Sequence, residues 1–319
     1  GIDTKSVVIQ LMDGPAYPLT GDGNGLFTGT CTPPGGFNYA EVVVDGVVVL
    51  SPYLPIGFGA HRPINYIDPP MAGDDFYQPA PGARGTVAHR YFPSSVTGAV
   101  QSCLVYLPPE YDPQTAYPVL YLQHGLGENE TGWVYQGRAN HILDRLIAGG
   151  EAVPMIVVMC TGMVNIEGTH HFDIFPEVLL RDVIPFIERE YNVKTDKWHR
   201  AMAGLSMGSM HTSMTTLTHP ELFGYAGLFS GFMHYIWKEE QPHLAALDNP
   251  DKFAKDFRVF FRAMGDKDPF FTHFEGDDAL VTEKGVDAFI TRKLYQGGHG
   301  WQVWRESLRD FLPLIFKED

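Results

Sequence analysis

The sequence predicts an α/β protein: a mostly parallel central sheet with helices on both faces, preceded by a small all-β domain. Three observations carry that expectation. A Val-rich hairpin lies near the N-terminus, a Pro- and Gly-rich stretch follows it, and from there short apolar runs alternate regularly with amphipathic segments.

The hairpin is the clearest local signal. Glu41-Val42-Val43-Val44 and Val47-Val48-Val49-Leu50 flank Asp45-Gly46, a dipeptide that tolerates the positive φ angles of a two-residue type I′ turn. Residues 6–11 and 26–30 add short strands on either side of the turn-rich run Gly21-Asp22-Gly23-Asn24-Gly25, so residues 1–65 read as a small β-sandwich. Residues 66–86, with Pro69, Pro70, Pro79 and Pro81, resist both helix and ladder formation and read as a linker. Residues 87–319 then carry the alternation. Residues 88–92 and 102–107 form a strand pair, and 117–123 and 154–160 are continuous apolar runs expected to be covered on both faces. Ala139–Ala148 spaces Ile142, Leu143, Leu146 and Ile147 helically, residues 175–191 read as a longer helix, and 200–203 and 258–264 as further buried strands.

Bulk properties exclude several function classes. A chain of 319 residues with 44% hydrophobic and 19% charged residues has the composition of a globular protein. Its formal charge of −15 repels phosphate backbones and anionic lipid, so neither nucleic acid nor membrane is an expected partner. No apolar run is long enough to span a bilayer and the first residues lack a signal-peptide pattern, so a soluble chain is expected. Cys31, Cys103 and Cys160 lie far apart, which excludes a zinc ribbon; Cys103 and Cys160 sit in apolar runs and are expected to be buried thiols.

The strongest chemical motif is Gly204-Leu205-Ser206-Met207-Gly208, placed after the predicted strand at 200–203 and before a helix-compatible stretch. A nucleophile elbow needs this arrangement, because small flanking residues relieve the crowding of a sharp strand-to-helix turn; the context predicts the α/β-hydrolase fold with Ser206 as nucleophile. A serine hydroxyl is too weak an acid to attack unaided, so a carboxylate and a histidine should follow in that order. Gly297-Gly298-His299-Gly300 offers His299 as general base, with His273 as an alternative. Gly265-Asp266-Lys267-Asp268 follows the penultimate strand; Asp268 is the preferred acid and Asp266 the residue that shapes the turn, with Asp277 and Asp278 as outliers. The oxyanion donors would be the N–H of Met207 and that of Leu126 in Gln123-His124-Gly125-Leu126-Gly127, with His124 packing beneath the loop. No cluster has metal-ligand spacing and no nucleotide loop is present, so cofactor-free hydrolysis is expected.

The runs 117–125, Glu130-Thr131-Gly132-Trp133, Gln136-Gly137-Arg138-Ala139-Asn140, the elbow, His219-Pro220-Glu221-Leu222-Phe223 and 298–304 resemble the esterase-D-like hydrolases, and among them the feruloyl and acetylxylan esterases. The resemblance spans about residues 87–319. It implies Ser206, Asp268 and His299 as triad, Leu126 and Met207 at the oxyanion hole, and a feruloylated or acetylated plant polysaccharide or oligosaccharide as substrate, hence a secreted enzyme of xylan degradation. Residues 37–52 are similar to the E-set, glycogen-branching-enzyme-like sandwich that precedes some of these esterases. Trp133 and Trp301 are the expected walls for an aromatic acyl group. Ser209 stands where relatives often carry glycine, a departure expected to touch helix packing more than chemistry. Acetylxylan and enterobactin-type siderophore esters are the competing substrates, and a glycan-binding protein on a decayed hydrolase scaffold is the non-enzyme alternative.

Overall fold

The computed structural model describes residues 3–12, 14–79 and 81–317. It divides into two compact units, Gly1–Asp75 and Phe76–Asp319, with the division inside the proline-rich stretch.

The first unit is antiparallel β. Its strands are β1 (Val7–Leu11), β2 (Ala16–Pro18), β3 (Thr20–Gly21), β4 (Phe27–Thr28), β5 (Asn38–Val44), β6 (Val47–Val49), β7 (Ile56–Gly59) and β8 (Arg62–Ile67). The main sheet runs β2-β1-β5-β8-β7, with β6 also on β5, while β3 and β4 make a separate ribbon. The Asp45-Gly46 turn has φ of 48° and 84°, the double positive that the type I′ geometry requires. Asp45 does more than turn the chain: its Oδ1 accepts the N–H groups of Lys5 at 2.8 Å and Ser6 at 2.7 Å, tying the entry of β1 to the hairpin.

The second unit is built on one eight-stranded sheet. In chain order its strands are β9 (Thr86–Pro93), β10 (Val100–Leu107), β11 (Val119–Gln123), β12 (Ile156–Cys160), β15 (Arg200–Leu205), β16 (Tyr225–Phe229), β17 (Val259–Gly265) and β18 (Ile290–Tyr295); β13 (Val164–Ile166) and β14 (Thr169–His171) form a separate hairpin. The spatial order is β18-β17-β16-β15-β11-β12-β10-β9. The six strands from β18 to β12 are parallel, and β10 and β9 close the edge antiparallel. Strands β11, β12, β15 and β16 are buried along their whole length, which is why they read as unbroken apolar runs.

Among the described residues the α-helices that accompany this sheet are α1 (Gly132–Tyr135), α2 (Ala139–Ala148), α3 (Phe175–Val178), α4 (Ile184–Glu190), α5 (Met207–Thr218), α6 (Pro250–Asp256), α7 (Phe271–Glu283) and α8 (Trp301–Phe311). Alternation along the strands sorts them into two layers. On one face Val119, Tyr121, Ile156 and Val158 pack with Val183 and Ile187 around α3 and α4, and Ala226, Leu228 and Phe260 pack with Leu217 of α5 and Phe253 of α6. On the other, Phe311 of α8 meets Phe229 and Phe261 at ring separations of 5.7 and 5.8 Å.

The single helix expected over residues 175–191 is interrupted. A π-helical turn, Leu179–Val183, joins α3 to α4. Pro185 has no N–H for an α-helical bond and its ring would press on the carbonyl of Arg181, so the backbone widens by one residue there.

Cys103 and Cys160 sit directly opposite each other on β10 and β12, both buried, whereas Cys31 is exposed. An aromatic disulfide reagent is therefore expected to titrate one thiol rapidly in the native protein and all three after unfolding; three fast thiols in the native state would contradict this packing.

Candidate active site

The order β12-β11-β15-β16 changes direction between β11 and β15, because the chain runs from β11 out to β12 and then returns to the far side of β11. In such sheets the crevice beyond the C-terminal strand ends at that switch is the place for a ligand. The segments that leave these two strands are the predicted oxyanion loop and the predicted elbow.

Ser206 follows β15 with φ 52° and ψ −118°, a backbone conformation that costs a non-glycine residue on the order of 1–3 kcal/mol. Its N–H is held by the Phe229 carbonyl at 2.9 Å. The flanking glycines are required by contact. A Cβ on Gly204 would lie 2.4 Å from the Gly208 carbonyl oxygen, and one on Gly208 would lie 2.6 Å from the carbonyl oxygens of both Gln123 and His124. The elbow is thus pressed onto the loop that leaves β11. Ser209 is buried and its Oγ donates to the Ser206 carbonyl at 2.6 Å; a Cβ at Gly231 would meet that hydroxyl at 1.7 Å, so the extra bulk at 209 is matched by a glycine across from it.

The β11 loop is held from both sides. The His124 Nε2 accepts the Gly162 N–H at 2.8 Å, which leaves the proton on Nδ1 to donate to the Gly125 carbonyl at 2.7 Å. Glu128, buried, accepts the Gly125 N–H at 3.0 Å. With the Gly125 carbonyl turned toward His124, the Leu126 N–H on the same trans peptide points the opposite way. Gly125 itself passes close to Ser206, its would-be Cβ 3.4 Å from the Ser206 Cβ. Leu126 is 45% exposed and Met207 is buried.

Asp268 and His299 are brought together. His299 Nδ1 donates to Asp268 Oδ2 at 2.8 Å, and Asp268, buried, accepts the Phe270 N–H on Oδ1 at 2.9 Å. Asp266 instead accepts the Gly297 N–H at 2.9 Å, and Lys267 N–H donates to the Gly297 carbonyl at 2.8 Å, which docks the histidine loop onto the acid loop. Gly265 permits the approach, since a Cβ there would lie 2.3 Å from the Gly297 oxygen. Phe270 and Trp304 face the imidazole edge-on at 5.0 and 5.3 Å. Asp278 bonds Arg262 and Arg292, and Asp277 bonds His234, which in turn bonds His273.

The expectation that Trp133 and Trp301 wall an acyl group is corrected. Each is only 1% exposed; they pack edge-on at 5.3 Å, and Trp133 Nε1 donates to the Gln123 carbonyl at 2.9 Å. They are core supports behind the β11 loop. The sequence carried a signal for this: Gly132 and Gly137 bracket Trp133, and a Cβ on Gly137 would stand 2.7 Å from the Trp301 ring. Sequence reasoning did not foresee Glu128, Phe270 or His234 beside the site, and no spacing marks them.

Burial keeps two histidines under this floor neutral. His124 is held down to about 4 and His211 to about 3, from 6.5, by desolvation that their bonds to backbone carbonyls only partly oppose; His243 is also lowered by burial. Below pH 6.5 the unfolded chain takes up protons that the folded chain refuses. Stability is therefore complete above pH 6.5 and falls as pH drops toward 4, by up to about 1.4 kcal/mol per pH unit for each such histidine. The denaturant midpoint is expected to be lower at pH 5 than at pH 7, with a shallower dependence in His211→Gln; a midpoint independent of pH over that range would contradict it.

Comparison with known proteins bears on the fold and the family. The model of the Esterase family matches residues 94–315. Over 332 aligned residues the chain is 37% identical to an endo-1,4-beta-xylanase/feruloyl esterase of Xylanibacter ruminicola, covering 99% of this chain and 44% of that protein. It is 35% identical over 269 residues to endo-1,4-beta-xylanase Y of Acetivibrio thermocellus, covering 77% of this chain and 24% of that protein. The chain thus spans less than half the length of either relative. A solved ferulic acid esterase superposes with a TM-score of 0.62 at 25% identity, covering 74% of this chain and all of that one. An α/β sheet whose switch point carries a strained serine, matched across residues 94–315 by that family's model, places the chain in the Esterase family.

Proposed function

We propose that this chain is a serine carboxylic-ester hydrolase that releases hydroxycinnamic acids from feruloylated plant polysaccharide. The observation that carries the chemistry is the 2.8 Å bond from His299 Nδ1 to the buried Asp268, on loops leaving the same sheet edge as Ser206. With its Nδ1 proton directed at Asp268, His299 keeps the Nε2 lone pair for the Ser206 hydroxyl. Ser206 Oγ attacks the ester carbonyl as His299 takes its proton, and the oxyanion forms against the N–H groups of Met207 and Leu126. The C–O bond to the alcohol breaks, and the alcohol leaves with the proton from His299. Water, deprotonated by His299, repeats the attack on the acyl-enzyme and frees the acid.

The substrate class rests on the names of the relatives, a xylanase/feruloyl esterase and a ferulic acid esterase. A polysaccharide ester does not enter a cell, so this reading carries an extracellular working place with it. Comparing kcat/KM for methyl ferulate, acetylated xylo-oligosaccharide and a catecholate trilactone tests it: methyl ferulate is expected to be preferred by at least about tenfold. Preference for either of the others would move the assignment to an acetyl or siderophore ester.

A further inference from the structure

A second histidine system stands beside the proposed triad and is used by no step above. Asp277 on α7 is 1% exposed in its side chain, accepts the Met233 N–H on Oδ2 at 2.6 Å and faces Arg262 at 3.4 Å. Its Oδ1 takes the Nδ1 proton of His234 at 2.9 Å. In that tautomer His234 Nε2 is an acceptor, and it takes the Nδ1 proton of His273 at 3.2 Å. His273 Nε2 is then left as a lone-pair acceptor at the end of a polarised chain, and no protein group among the described residues bonds to it.

The buried histidines of this protein are different. His124, His211 and His243 each bond a backbone carbonyl deep in the fold. His273 is half-buried and its chain ends on an open nitrogen. Its place is also distinctive. It lies in the first turn of α7, five residues after Asp268, while His234 follows β16, so both belong to the sheet edge that carries Ser206. The half-buried ring of Phe270 neighbours both systems, 5.0 Å from His299 and 6.4 Å from His273, and Phe232 lies 5.4 Å from His273. A flat acyl group whose ester carbonyl sits at His299 and whose ring lies along Phe270 would bring its far substituent to His273.

We propose that His273 is a specificity-determining residue whose Nε2 accepts the ring hydroxyl of a hydroxycinnamoyl group laid against Phe270, a proposal that rests on the hydroxycinnamoyl-ester reading above. Asp277 and His234 are its positioning residues: they fix the tautomer that turns a lone pair, and not a proton, toward a hydroxyl donor.

The test compares methyl p-coumarate, which carries the ring hydroxyl, with methyl cinnamate, which lacks it, for wild type, His273→Ala and His273→Phe. The phenylalanine variant keeps a ring between Phe232 and Phe270 and removes only the acceptor. Loss of one hydrogen bond of uniform binding is expected to raise KM for methyl p-coumarate about fivefold to tenfold with kcat within about twofold, and to leave methyl cinnamate unchanged. Equal changes for both esters in His273→Phe, or no change for either, would overturn the subsite. So would a loss confined to feruloylated arabinose oligosaccharide and absent for methyl ferulate, which would put the hydroxyl on the leaving sugar. If wild type cleaves neither ester the hydroxycinnamoyl reading itself falls and takes the subsite with it; if wild type cleaves both and the variants do not discriminate, the subsite alone falls.

Discussion

Ser206→Ala is expected to lower kcat on methyl ferulate by about 10⁶-fold and to abolish labelling by a fluorophosphonate, with the thermal midpoint within about 2 °C of wild type. The size follows from removing the proposed nucleophile while leaving the proposed oxyanion donors, the N–H groups of Met207 and Leu126, in place. The intact fold follows from the elbow's geometry. The positive φ at 206 is imposed by the Phe229 carbonyl and by the contact of Gly208 with the β11 loop, and neither involves the hydroxyl. Retained hydrolysis in a folded variant would remove Ser206 from the mechanism.

Asp268→Asn is expected to lower kcat by about 10⁴-fold, whereas Asp266→Asn should change it by less than about tenfold. The two acids lie two residues apart but do different things. Asp268 accepts the Nδ1 proton of His299; an amide there can present its NH₂ to Nδ1 and stabilise the tautomer whose Nε2 carries the proton, which cannot receive another from Ser206. Asp266 accepts a backbone N–H from Gly297, and the carbonyl of Asn can accept the same bond. Steady-state rates for the two variants, with circular dichroism to check folding, decide between them; the reverse order of effects would transfer the acid role to Asp266.

Much of the fold is legible in the sequence because its signals are local. Asp45-Gly46 names its own turn, and strands covered on both faces announce themselves as apolar runs. Strand β16 escapes that reading because Tyr225–Phe229 contains Gly227 and runs through Ser230 and Gly231 into the further apolar pair Phe232-Met233, with no polar boundary to mark it. Helix α7 is hidden for a related reason: Gly276 interrupts it, and its buried residues, Phe274, Asp277 and Val281, include a carboxylate. The elbow and the glycine-bracketed His299 could be found from neighbours along the chain. Trp133 and Trp301 were misplaced because an aromatic beside a glycine loop looks the same whether the glycine opens a pocket or makes room for a buried ring. His234, His273 and Asp277 are each visible as residues, but their hydrogen-bonded chain joins β16 to α7 across some forty positions, and only the sheet order brings them together.

The most direct test of the central claim is release of free ferulate from feruloylated arabinoxylan oligosaccharide by the wild-type chain, followed by the absorbance of the liberated acid. Saturable release with kcat/KM of at least about 10⁴ M⁻¹s⁻¹ is expected, absent in Ser206→Ala. No release by folded wild-type protein that still reacts with a fluorophosphonate would contradict the substrate assignment, and no reaction with either would contradict the hydrolase itself.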